Sequence, residues 1–107
     1  MVNFEPAAGE KIVLDEDCAE DKLRNGILIL TNSRLLFQKT QGRMATLSKK
    51  EGEIAIDIPL QKISGVRSEG FLVKKLVVSS GDINYKFGVF NNGQWERQIK
   101  ALKAGAS

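Results

Sequence analysis

A period of two dominates this sequence. In residues 53–60, Ile54, Ile56 and Ile58 alternate with Ala55, Asp57 and Pro59. That is the pattern of a strand with one buried and one wet face. Pro59 has no N–H to give to a ladder, so this strand must end there or lie at a sheet edge. Residues 84–90 repeat the alternation, with Tyr85, Phe87 and Val89 set against Lys86, Gly88 and Phe90. Other apolar runs of strand length fill residues 11–15, 26–31, 34–38 and 75–79, with a weaker one at 63–67. Thr31-Asn32-Ser33 between two such runs reads as a hairpin turn, and Ser80-Gly81-Asp82 reads as another turn. Residues 15–24 read as an acidic loop, and residues 39–52 as a long polar loop that is strand-like at most through Met44–Leu47. About seven short strands at this spacing predict an antiparallel bent sandwich or barrel.

The period changes near the C-terminus. Trp95, Ile99 and Leu102 fall at i, i+4 and i+7, one stripe of a helix. Asn91 suits the N-cap with Gln94 three residues on, and Gly105 suits the stop, with Lys103 in the last turn. A helix over 91–103 is predicted, plugging one open end of the sheet. Its stripe should meet inward residues such as Ile29, Phe37, Ile56 and Phe87.

A length of 107 residues fits one domain. It is expected to span 9–104, with a flexible N-terminal stretch at 1–8 and a short tail at 105–107. Apolar residues make up 42% and charged residues 27%, a mixture that can build a core without staples. The single cysteine, Cys18, excludes an intrachain disulfide and suits a reducing compartment. The longest apolar runs, 27–30 and 35–37, are far below the roughly 20 residues that a membrane span needs. The first six residues contain no basic or apolar leader. A cytoplasmic protein is therefore expected.

Catalytic and metal chemistry find little support. There is no histidine and no second thiol, so the usual general base and the usual zinc set are missing. Asp15, Asp17 and Asp21 are spaced like a calcium loop, but Glu20 stands where that loop needs glycine, and Gly26 where it needs glutamate. No phosphate-binding glycine loop is present. Cys18 lies among acids, which oppose a reactive thiolate. No enzyme activity, metal or cofactor is expected.

Seven strands and a capping helix resemble the pleckstrin-homology superfold. Residues 26–37, Gly-Ile-Leu-Ile-Leu-Thr-Asn-Ser-Arg-Leu-Leu-Phe, resemble the G-x-L-x-L-T-x-x-R-L-x-F stretch of its GRAM-type branch. The isoleucine alternation that follows, and Trp95 with Ile99, resemble the next strand and the terminal helix of that branch. Thr31 closes one strand and Arg34 opens the next, with its stem over apolar neighbours, so Arg34 is given a folding role.

The resemblance implies a binding module. Phosphoinositide binding in that superfold uses basic loops at the open end, and the candidates here are Lys39, Arg43, Lys49 and Lys50. The adjacent loop is acidic instead. Residues 1–30 carry seven acids and three bases, and residues 31–107 carry six acids and thirteen bases. Neighbouring acids would offset the basic loop and weaken its field. A second candidate patch is Arg67, Lys74 and Lys75 around the apolar turn holding Phe71 and Leu72, expected at the opposite end. The first expectation is therefore protein recognition. The alternative is weak peripheral binding to an anionic membrane surface, and self-association is left open. Nucleic acid is not expected, because Phe37, Tyr85 and Phe87 read as core rather than as stacking platforms.

Overall fold

Apolar and β-branched residues at short spacing form seven strands in the computed structural model, which describes residues 7–21, 24–39, 53–70 and 75–106. They are β1 (Ile12–Glu20), β2 (Arg24–Thr31), β3 (Arg34–Lys39), β4 (Glu53–Pro59), β5 (Gly65–Glu69), β6 (Lys75–Ser80) and β7 (Ile83–Gly88). A 3-10 turn, Leu60–Lys62, joins β4 to β5, and the helix α1 covers Asn92–Ala106. All strand pairs are antiparallel, in the order β4-β3-β2-β1-β7-β6-β5. β4 is an edge strand that ends on Pro59, as a residue without an N–H requires.

The sheet curls around a single core. Leu28, Leu30, Leu35, Phe37, Ile56 and Ile58 come from one half, and Val66, Leu76, Val78 and Phe87 from the other. Trp95 and Ile99 of α1 close it and are fully buried, while Leu102 is partly buried against the same cluster. Phe37 and Phe87 meet with ring centroids 5.9 Å apart. Gly26 is required beside them, since a Cβ there would strike the Phe37 ring and the Gln38 carbonyl.

Three expectations are corrected. First, the acidic loop is mostly strand: β1 runs to Glu20, so Asp15, Glu16 and Asp17 lie in the ladder opposite Ile29, Leu28 and Ile27. A run of acids is a poor strand signal, and the paired apolar β2 overrides it. Second, Ile29 does not face the helix. Leu28 and Leu30 point inward, so Ile29 lies on the other face, where it is buried beside its partner Leu36. An unbroken apolar run carries no phase, so the sequence could not say which pair pointed inward. Third, α1 continues through Gly105 to Ala106, three residues past the expected stop.

Candidate functional site

β1 sorts its carboxylates by strand alternation. Asp15 and Asp17 point to the outer face and are exposed, whereas Glu16 and Glu20 point inward. Glu16 Oε1 accepts the Trp95 indole N–H at 2.8 Å, and Glu16 Oε2 accepts the Phe90 backbone N–H at 2.8 Å. One side chain thus fastens the start of α1 to the middle of β1. Glu20 is buried. Cys18, between them on the inner face, is also buried. Burial first, then the Glu16, Glu20 and Asp17 charges, push its thiol up to about 12, so it stays a neutral core residue.

The other end of β1 carries a denser polar cluster. Glu10 Oε2 accepts from Arg34 Nε at 2.8 Å, from Thr31 Oγ1 at 2.6 Å and from Ser33 Oγ at 3.0 Å. Its Oε1 accepts from Arg34 Nη2 at 3.0 Å and from the Ala7 N–H at 2.9 Å. Arg34 Nη1 also donates to Asp57 Oδ2 at 2.8 Å. The Glu10 side chain is only 3% exposed. The Arg34 guanidinium holds its carboxyl far below the usual range, against the opposing effect of burial. Arg34 is held protonated in return, first by Glu10. Thr31 Oγ1 accepts the Ser33 and Arg34 N–H groups at 3.1 and 3.0 Å. The Thr-x-x-Arg spacing is therefore a folding device, and it works through the guanidinium head rather than the stem.

Sequence reasoning missed Glu10 and Asp57 as partners of Arg34. Glu10 lies 24 residues away with no local signal. Asp57 did leave one: it sits on the wet phase of the isoleucine alternation, and pairing β4 with β3 brings it diagonally beside Arg34.

The candidate basic residues separate as follows. Lys39 ends β3 and is half-buried, in register with Gly26 and Glu53. Arg43, Lys49 and Lys50 lie outside the described residues, as do Phe71, Leu72 and Lys74. Arg67 is exposed and bonds Glu69 at 3.0 Å. Lys75 Nζ reaches Asp21 Oδ1 at 2.5 Å. That contact places Lys75 beside Asp21, just past the end of β1, not at the opposite end of the molecule. Among the described residues, no group of three Cys, Asp or Glu side chains could hold a metal ion. No helix among them is long and apolar enough to cross a membrane.

An open seven-stranded antiparallel sheet, curled on one core and closed by a C-terminal helix, is a pleckstrin-homology-like fold. Among solved structures, the chain matches the "Vps36 N-terminal PH domain" with a TM-score of 0.70, over 94% of this chain and 83% of that one. Sequence identity is 13%, so the likeness is one of fold. Searches against known protein families and against curated proteins returned no match.

Proposed function

We propose that this chain is a non-catalytic, GRAM-like recognition module of the cytoplasm whose partner is a protein. One observation carries the preference for protein over lipid. The described cations of the apolar-turn patch are already engaged: Arg67 by Glu69, and Lys75 by Asp21. Paired cations offer an anionic bilayer little net field, and each free juxtamembrane charge would be worth only about 1 kcal/mol. Asp15 and Asp17 add exposed negative charge along β1. A phosphoinositide site would have to rest on Lys39, Arg43, Lys49 and Lys50.

Vesicle co-sedimentation tests the choice. The intact chain should bind weakly to vesicles of phosphatidylcholine with increasing phosphatidylserine, and equally weakly when a phosphoinositide is added. Tight, phosphoinositide-dependent binding that is lost when Lys39, Arg43, Lys49 and Lys50 are replaced by alanine would overturn the reading in favour of a lipid module.

A further inference from the structure

Among the described residues, the seam between β1 and β7 leaves a length of β1 backbone unpaired. β7 pairs with β1 only at Ala19↔Gly88 and Glu20↔Phe87, and the Asp21 N–H bonds the Lys86 carbonyl at 3.2 Å. One more step of this register would set Phe90 opposite Asp17. Instead the Phe90 N–H is taken by the Glu16 carboxylate, and the chain turns away into α1. Backbone groups alternate in direction along a strand. Those of Asp15 and Asp17 therefore point the same way as those of Ala19 and Asp21, into the space that β7 has left. Among the described residues no strand pairs with β1 there. Val13, Asp15 and Asp17 are exposed, and Phe90 stands beside the gap at 93% exposure.

The two terminal edges of the sheet differ from this one. β4 carries Pro59, which cannot donate to an added strand. β5 lies against α1, where Ser68 Oγ is within 3.1 Å of both Asn92 Oδ1 and Glu96 Oε1. The β1 edge has neither protection. Its outward charges are both acidic, so they oppose pairing with the same edge of a second copy and favour a basic strand.

We propose that the β1 edge at residues 14–17, beyond the register shift between Ile12 and Leu14, accepts an extended, basic segment of a partner protein by strand addition, with Asp15 and Asp17 selecting its lysines or arginines and Phe90 covering its apolar side chains. This inference rests on the reading of the chain as a protein-recognition module and names the chemistry of its partner.

The test uses the intact chain and a blocked peptide of alternating lysine and valine, with an alternating glutamate–valine peptide as control. Amide hydrogen exchange followed by NMR is the readout. The lysine peptide should slow exchange at the Asp15 and Asp17 amides about ten-fold or more, and the glutamate peptide should not. Asp15→Asn with Asp17→Asn should weaken peptide binding roughly five-fold, as the loss of two cross-strand charge pairs implies. Asp17→Pro removes a donor that faces the open edge, so it should abolish binding while the fold persists. Protection at β4 or β5, protection nowhere, or equal binding by Asp17→Pro would each overturn the inference. So would protection that grows with protein concentration alone, since the occupant would then be a second copy. Unprotected amides in a protein that also stays off vesicles would sink only the strand-addition site, whereas tight vesicle binding would sink the parent reading.

Discussion

The glutamates and the aspartates along β1 and the segment before it occupy two different regions. Glu10 lies under Arg34, Glu16 holds Trp95 and the Phe90 amide, and Glu20 is buried. Asp15 and Asp17 face out from the other side of the strand, and Asp21 meets Lys75 in an exposed pair. Closely spaced acids in a sequence are thus not one electrostatic object. Period-two alternation sends Glu16 and Glu20 inward, and Glu10, which precedes the strand, is covered instead on the outer face by Thr31 and Arg34. Covered carboxylates must find donors, whereas the aspartates stay in water, where an ion pair is worth about 1 kcal/mol or less. The covered group belongs to the fold, and Asp15 and Asp17 stay exposed with no ion pair among the described residues.

The largest effects should come from removing what the covered carboxylates hold. Trp95→Ala deletes the buried ring that Glu16 anchors and should cost about 3–5 kcal/mol, the usual range for such a truncation. At roughly 4 °C per kcal/mol for a chain of this size, thermal unfolding should fall by more than 10 °C. A drop of only a degree or two would show that the inner region is no more demanding than the outer.

Arg34→Met comes next. It strands the Glu10 carboxylate, 3% exposed, without its cation. Loss of one partner from a largely buried pair costs about 3 kcal/mol. Glu10→Gln is milder, at about 2 kcal/mol, because the amide keeps one acceptor oxygen for Thr31 or Arg34. This pair also predicts a pH signature. The Glu10 carboxyl is lowered from its ordinary value of 4.5, chiefly by Arg34. A group whose pKa is depressed on folding contributes stability above its unfolded value and loses it as pH falls toward the folded one. The stability gap between wild type and Glu10→Gln should therefore be widest near neutrality and should close progressively below about pH 4.5. A gap independent of pH in chemical denaturation would mean that Glu10 acts through packing rather than charge.

How far these regions could be read from the sequence depends on phase. The isoleucine alternation in β4 and the Trp95/Ile99 stripe each carry their own phase; Ile56, Ile58, Trp95 and Ile99 are buried on the side expected, whereas Ile54, beyond the register shift between Phe37 and Gln38, is 40% exposed. The unbroken run at residues 27–30 carries none, so it does not show that Ile29 faces away from the helix. The acids of β1 look like a loop in sequence because their strand signal exists only once β2 is paired beside them. The Arg34 cluster was half legible: its turn chemistry is local, but Glu10 arrives from a segment with no strand or helix period. The candidate basic patches were legible only as composition. Which cations remain unpaired depends on contacts such as Lys75 with Asp21, whose residues are 54 apart in sequence.

The outward region should respond least, and Asp21→Asn tests its only ion pair among the described residues. The pair is exposed on both sides, 41% for Lys75 and 39% for Asp21, so its loss should cost no more than about 0.5 kcal/mol.

Smaller still is the expected effect of Asp15→Asn combined with Asp17→Asn on folding. Both side chains are exposed on β1, and no ion pair to either is formed among the described residues. Unfolding should therefore shift by less than about 2 °C, the scale of surface substitutions. The same substitutions remove two negative charges from the exposed face, and adsorption to phosphatidylserine vesicles should strengthen by roughly 1 kcal/mol or less. That gain must fade with added salt, because charges in solvent are screened over about 10 Å at 0.1 M ionic strength. A large loss of stability in this double variant would place the aspartates with the glutamates and erase the distinction between the two regions. An increase in vesicle binding that survives high salt would show that the aspartates block an apolar membrane contact rather than repel an anionic one.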